Sequence, residues 1–400
     1  MRGGAWSGSS KLGGEPVKSK GQSLYTRRFK SHHIFQLDSG AASAFTCRAE
    51  LLTLDANCMK ATLADQFEVA AGLASGISRY AASIGIDAGP IAQACGLDPD
   101  RFNVIGERVS LDRVCRYMEA LALISGDDQF GLKSAAEFRK GASGPFGYAM
   151  MNAATVRDCL VFMGRNLNKI SETSICTLEI GPRAAYFEWT YSPLILHRAQ
   201  FVDLGVAQTF AHLRAFLGDD VRLIRVELER KKPINTNLHK QLLTPHVSFG
   251  AQVNALILPV EILGRSNPRA DPQLFSIMSM QMEALPQRNT DAQDPVAAVR
   301  LHVAENLSNN TVTLASEAGR LGMSSRTLQR RLTDAGTSLQ AIVDECRKEM
   351  AGRFLLETDL TLSSIGYKLG FSAPAAFTRS AIRWFGMTPS EFRQKHRETT

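Results

Sequence analysis

The sequence predicts an α+β N-terminal domain followed by an all-α C-terminal domain in which two helix-turn-helix motifs are joined by a long helix. Three observations predict it. At 400 residues the chain exceeds the size at which one core stops growing. A stretch of alternating apolar and polar residues, 174–192, sits among otherwise helical patterning. Two segments of the last hundred residues repeat one another, as one supersecondary unit used twice would.

Composition narrows the class. With 44% hydrophobic and 21% charged residues the chain has enough apolar material to bury a core, which excludes wholesale disorder. Its charge-free runs, such as 141–156, are short and broken by Gly, Pro and Asn, whereas a spanning helix needs about 18 apolar residues. No membrane partner is expected. Residues 1–30 are basic and rich in Gly and Ser without an apolar stretch, so they do not read as a secretory signal, and a cytoplasmic location is expected. Seven cysteines, an odd number with no C-x-x-C pair, support neither a disulfide framework nor a zinc ribbon. A net charge of +7 is compatible with a polyanionic partner, yet many proteins without one share it.

Residues 1–58 carry eight Lys/Arg against four Asp/Glu and no sustained period, and they read as a disordered basic extension. Periodic patterning begins just after Met59, so we expect translation to start there; a functional basic tail is the alternative. From about 63 to 170 the period is helical, with breaks at Gly85, Gly89-Pro90, Gly96, Gly126 and 141–147. The alternation over 174–192 reads as a β-hairpin turning at Gly181-Pro182. A helix near 196–217, a strand at 221–230 and a strand at Ala255–Pro259 complete an α+β domain over 63–283. The polar stretch 284–294, with Pro286 inside it, is a linker, and 295–397 form the second domain.

The repeat pairs Thr313–Leu332 with Thr361–Ser380 through the frame Thr-Leu-x-Ser-x-x-x-x-Leu-Gly-apolar-Ser. Its offset is 48 residues at Thr313/Thr361 and widens to 49 at Leu328/Phe377. In each copy a Thr caps a short helix, Leu-Gly ends it, Met323 or Phe371 crosses the turn, and Ser324 or Ser372 caps a second helix. Pro374 adds a first-turn proline in the second copy. Each second helix turns apolar residues inward (Leu328, Leu332; Phe377) and polar ones outward. Between the copies, 338–357 hold Leu339, Ile342, Val343, Cys346, Met350 and Phe354 on one helical stripe. Such a helix is roughly 30 Å long, close to the ~34 Å turn of B-DNA, so it could space two helices into successive major grooves.

These residues carry a family resemblance. The segment 294–397 resembles the DNA-binding domain of AraC/XylS-type transcription regulators, through Leu369-Gly-Phe-Ser372, Phe377-Thr-Arg379, Arg383-Trp-Phe-Gly386 and Thr388-Pro-Ser-Glu-Phe-Arg393. That last piece is also a helix start, with Thr388 and Glu391 placed for a capping box. Upstream, Gly131-Leu132, Gly144-Pro-Phe-Gly-Tyr148 and Phe249-Gly250 with Asn254-Ala-Leu256 resemble the arabinose-binding-type effector domain of one branch of that family. The resemblance implies double-stranded DNA as partner, with Ser325, Arg326, Gln329 and Arg330 of the first motif and Pro374, Ala375, Thr378 and Arg379 of the second at the interface. Arg pairs naturally with guanine and Gln with adenine, so the first motif is expected to discriminate bases and the second to position the protein. It further implies RNA polymerase, a small-molecule effector and a second copy of the chain as partners. Two positions depart from the pattern: Ala381 stands where a second aromatic usually follows, and Ile382 where a basic residue is common. The missing ring leaves space that Trp384 or Phe385 must fill.

Blander readings stand beside these. Across 294–400 there are fourteen Lys/Arg against eleven Asp/Glu, so bulk charge does not establish DNA binding. Arg320, Arg331, Arg347, Lys348, Arg353 and Lys368 fit a solvated face, although Arg353 could tie the motifs together through Asp359. Trp384, Phe377 and Phe385 read as core. His32-His33 lacks partners at ligand spacing, His197, His212, His239 and His246 read as locally hydrogen-bonded, and no metal or cofactor is expected. Cys95, Cys115, Cys159 and Cys176 read as buried hydrophobes rather than redox sensors. No G-x-S-x-G, H-E-x-x-H, G-x-x-x-x-G-K-[ST] or G-x-G-x-x-G occurs, so no catalytic site is expected. The resulting expectation is a ligand-responsive DNA-binding transcription regulator, activating rather than repressing. A repressor, or a ligand-binding module whose helical domain touches only protein, remains the alternative. No effector-binding residues can be read from the pattern.

Overall fold

A computed structural model describes residues 61–398 apart from 105, 139–142, 173–174, 286–293 and 310. The basic extension and nearly all of the expected linker lie outside the described residues.

The first domain opens with strand β1 (Glu68–Ala70), helices α1 (Gly72–Ser83) and α2 (Ala88–Ala94), strand β2 (Arg108–Ser110) and helix α3 (Leu111–Ser125). β1 and β2 form a small antiparallel pair. At three residues each they are too short to interrupt a helical period visibly, and the sequence reading missed them. Helices α4 (Phe130–Ser134), α5 (Pro145–Asn152) and α6 (Val156–Ile170) follow. Ser110 caps α3 and Thr155 caps α6, each hydroxyl accepting an amide of the first turn.

The hairpin forms as expected, from β3 (Ile175–Ile180) and β4 (Ala184–Thr190), closed by the Gly181 amide donating to the Ala184 carbonyl at 2.9 Å. Ala185, Phe187 and Trp189 face inward while Tyr186 is exposed, the alternation of a half-covered sheet. Helix α7 (Ala199–Leu217) matches its expected span. The strand expected over 221–230 shortens to β5 (Arg225–Leu228), because residues 218–223 wind into a 3-10 turn. Helix α8 (Asn237–Leu242), β6 (Val247–Phe249), β7 (Asn254–Pro259) and α9 (Pro272–Ala284) complete the domain. The sheet runs β3-β4-β7-β5-β6, antiparallel except for the parallel pair β5/β6. β7, central in the sheet, is buried from Asn254 to Leu258.

One glycine fixes a close approach. A methyl group on Gly131 of α4 would collide with the Gln200 backbone carbonyl of α7, while the Gly131 amide donates to Gln200 Oε1 at 2.7 Å. Only a residue without a side chain lets these helices meet so tightly.

The second domain is helical throughout: α10 (Pro295–Glu305), α11 (Leu314–Arg320), α12 (Ser325–Asp334), α13 (Leu339–Glu357), α14 (Leu362–Lys368), α15 (Pro374–Phe385) and α16 (Pro389–Glu398). Arg353 on α13 departs from expectation. It is buried, and its partners are not Asp359 but Asp112 of α3 (2.9 Å), Glu357 (3.1 Å) and the Leu194 carbonyl (2.7 Å). Arg116 donates to both Asp112 (2.8 Å) and Glu357 (2.7 Å), so two guanidiniums and two carboxylates close a balanced cluster. His197 Nε2 stands 3.4 Å from Glu357 Oε2. The Leu63 amide also reaches α13, donating to Glu349 at 2.9 Å.

Candidate DNA-binding surface

The first motif is built by local hydrogen bonds. Thr313 and Ser316 cap α11 reciprocally, each side chain accepting the other's amide (3.1 and 2.9 Å). Gly322 takes φ +65° and lets the Met323 amide return to the Ala318 carbonyl at 2.9 Å. Ser324 Oγ then accepts the Thr327 amide at 3.1 Å and starts α12. Leu328 and Leu332 are fully buried, which turns Ser325, Arg326, Gln329 and Arg330 to solvent. Arg326, Arg330 and the neighbouring Arg331 have no acidic partner among the described residues. Arg320 differs, for its guanidinium is held by Glu317 (3.3 Å) and the Ala298 carbonyl (3.1 Å). Glu317 is itself buried, 2.7 Å from His302 Nδ1.

The second motif repeats this build with one shift. Thr361 caps α14 through the Ser364 amide (3.2 Å), and Gly370 takes φ +76°. The cap of α15 is Ala373, not Ser372, and no side chain satisfies its first amides. Pro374 at the first turn partly compensates, since it has no amide to satisfy. Pro374, Ala375 and Arg379 are exposed; Thr378 is half-buried, its hydroxyl donating back to the Pro374 carbonyl at 3.2 Å. Arg379 has no acidic partner among the described residues.

Phe377, Trp384 and Phe385, each one helical turn from Ala381, belong to one aromatic cluster. Ala381 is fully buried, and Phe371 packs with Phe377 (ring centroids 5.9 Å) and Trp384 (6.1 Å), Trp384 edge-on to Phe385 (6.2 Å), and Phe385 on Phe392 (4.4 Å). Three polar contacts tie this cluster to α13. Trp384 Nε1 donates to Asp344 (3.0 Å), the Arg347 guanidinium lies 4.8 Å over Phe371 while donating to the Leu369 carbonyl (2.8 Å), and Arg393 donates to the carbonyls of Leu355 and Leu360. Ile382 is exposed. The expected capping box at α16 is present, and its hydrogen bonds from Thr388 hold the Glu391 carboxyl below its ordinary range.

Inside the first domain lies a second candidate site, whose lining includes Phe146 of the Gly144–Tyr148 motif. A cavity of about 70 Å³ opens between α1, α5, α6 and α7, lined largely by apolar side chains, among them Phe146, Met163, Phe201 and Leu204, with Gln208, Thr209 and His212 as its polar edge. Among the described residues that line it, none carries a carboxylate, ammonium or guanidinium. Burial holds His212 below the ordinary imidazole range against the opposing bond from its Nδ1 to the Gln208 carbonyl (2.7 Å). Gly205 sits mid-helix in α7 at the cavity wall, and a methyl group there would meet nothing within 4 Å.

The remaining expectations concern histidines and thiols. His239 lies 3.1 Å from Asp203 in the core, and His32-His33 are outside the described residues. Cys95, Cys115, Cys159 and Cys346 are buried and Cys176 is half-buried. Burial pushes the thiols of Cys95, Cys159 and Cys346 up to about 12 and that of Cys176 to about 11. No helix among the described residues is long and apolar enough to cross a membrane.

Comparison with known proteins places the chain. A family model described as the N-terminal arabinose-binding domain of AraC transcription regulators matches residues 85–267, and a helix-turn-helix domain model matches 318–395. Together they span well over half of the sequence. The transcriptional regulator VirS of Mycobacterium tuberculosis is 28% identical over 316 residues, covering 78% of this chain and 92% of the relative. The ornithine utilization regulator of Pseudomonas aeruginosa is 23% identical over 314 residues, with the same two shares of 78% and 92%. Among solved structures, the regulator CdpR of Pseudomonas aeruginosa aligns over 81% of this chain and 98% of its own, at a TM-score of 0.38 and 19% identity. An arabinose-binding-type domain joined to a double helix-turn-helix domain makes this chain a DNA-binding transcription regulator of the AraC family.

Proposed function

We propose that α12 reads base edges through Arg326, Gln329 and Arg330, with Ser325 at the phosphates. The second motif supplies position, with Arg379 on the backbone, Thr378 beside it, and Pro374 and Ala375 against thymine methyls. The supporting observation is that three long polar side chains of α12 share one exposed face with no acidic partner among the described residues, so they meet a phosphate-lined groove without breaking an internal bond. The first domain receives a small-molecule effector, and its occupancy favours the arrangement in which DNA is gripped and RNA polymerase recruited, making the chain an activator. Ligand control requires different affinities for two arrangements of the protein. We propose too that the chain acts in the cytoplasm, by binding rather than by turnover, and that it associates with a second copy on DNA. Selection of bound sequences from a random pool, followed by affinity measured over a salt series, tests the reading. A log-log slope of about −0.9 per neutralised phosphate is the expected result. A flat response with no enriched sequence would leave the protein-contact alternative.

A further inference from the structure

The cavity of the first domain and the buried cluster on α13 are joined by one short segment. Tyr191 and Phe201 both line the cavity and meet edge to face, with ring centroids 5.6 Å apart. Between them, residues 192–198 leave β4 and enter α7, held by Leu194 and Ile195 in the core and by a turn in which the Ile195 amide donates to the Ser192 carbonyl at 3.0 Å. This segment touches the DNA-binding domain directly, since the Leu194 carbonyl accepts from Arg353 at 2.7 Å and His197 faces Glu357 at 3.4 Å. At its far end Arg198 is locked on Glu229 at 2.7 Å.

The walls define what fits. With no charged side chain among the described residues that line the cavity, an ionised ligand would lose its water without gaining a counter-charge from them. About 70 Å³ suits roughly half a dozen non-hydrogen atoms, or one end of a larger molecule. A carbonyl only accepts, so the His212 Nδ1 that bonds Gln208 carries the proton, and Nε2 keeps a lone pair. A side chain at Gly205, which lines the cavity, would meet no atom within 4 Å at its first carbon, so substitution there probes the cavity without a backbone clash. We propose that this cavity binds a small, uncharged, mainly apolar molecule carrying one hydrogen-bond donor, and that its occupancy is passed through residues 192–198 to Arg353 and Glu357, and so to the helix between the two motifs. The inference rests on the regulator reading and adds to it a location, a ligand class and a route.

Phenol, benzene and benzoate titrated calorimetrically into the full chain at millimolar concentration provide the test. Phenol is expected to bind, benzene several-fold more weakly for want of a donor, and benzoate at least tenfold more weakly. Gly205→Leu fills the space and is expected to abolish phenol binding. Gly205→Ala, which preserves the helix, should weaken phenol several-fold while the melting temperature holds or rises. Hydrogen exchange over Leu339–Glu357 is expected to change on saturation with phenol in the parent protein and not in Gly205→Leu. Benzoate binding as tightly as phenol would overturn the ligand class, and undiminished phenol binding in both Gly205 variants would overturn the location. Phenol binding with identical exchange over Leu339–Glu357 would overturn the route. DNA recognition by the ligand-free protein is measured separately, so its loss and the failure of any of these arms are distinguishable.

Discussion

Arg353 and Asp112 stand 241 residues apart in the chain and form a buried, two-pronged ion pair, Nη2 lying 2.9 Å from one carboxylate oxygen and 3.1 Å from the other. Neither charge reaches bulk water, and each has a second partner, Glu357 for Arg353 and Arg116 for Asp112. The pair joins the ligand-binding half of the protein to the strut of its DNA-binding half.

Removing one partner leaves a charge stranded. Asp112→Ala is therefore expected to cost about 3–5 kcal/mol, because Arg353 and Arg116 keep their charge in a site closed to solvent. Urea unfolding measures it; a loss under 1 kcal/mol would mean that water reaches the cluster.

Acid should act on the same cluster. Burial alone would raise the Glu357 carboxyl, but Arg353, His197 and Arg116 outweigh it and hold the group well below its usual 4.5. A carboxyl lowered in the folded state contributes stability that is full above the unfolded value and is lost as pH falls towards the folded one. The contribution is thus constant from neutrality down to about pH 5 and declines below it. Glu357→Gln should flatten that decline in unfolding curves taken between pH 6 and 3; an unchanged slope would contradict it.

On selected DNA, Arg326→Ala and Gln329→Ala are each expected to cost about 1–3 kcal/mol and to relax preference at one base position. Arg379→Ala should instead weaken all sequences alike and reduce the salt slope by about 1. Anisotropy titrations at several salt concentrations separate the two behaviours, and a base-specific loss in Arg379→Ala would reverse the assignment.

Gly131→Ala places a methyl against the Gln200 carbonyl, a backbone atom that cannot swing aside. Overpacking of this kind costs about 1–3 kcal/mol. Thermal melts should show the loss, and a stability equal to the parent's would mean that α4 and α7 are looser than described.

Thiols pushed to about 12 by burial, those of Cys95, Cys159 and Cys346, carry almost no thiolate at neutral pH. Iodoacetamide at pH 7.5 should leave these three unlabelled in the native protein and label them fully in urea, as read by peptide mass spectrometry. Fast native labelling of Cys95 would reopen the redox-sensor reading.

The double helix-turn-helix was legible because its grammar is local: a hydroxyl three residues before an amide, a glycine at positive φ, a leucine turned inward. Even the misplaced cap at Ser372 was open to correction. The repeat offset widens from 48 to 49 residues just there, and Ser324 shifted by 49 falls on Ala373, the cap observed. The hairpin showed for the same reason, since alternation over 174–192 is a short-range signal. What stayed hidden depends on distant residues. The partners of Arg353 lie on other elements, the cavity is a gap between four helices, and strands of three residues such as β1 and β6 are too brief to carry a period.

The outer surface of α15 has an evolutionary corollary. Pro374 and Ala375 present little more than hydrocarbon, while the residues that hold the helix in place, Phe377 and Ala381, lie on its opposite side. On the proposed docking, an arginine or glutamine installed at 375 would add a base-reading side chain without disturbing the packing beneath. On that docking, the part of the recognition site facing α15 can change by single substitutions that leave Phe377 and Ala381 untouched.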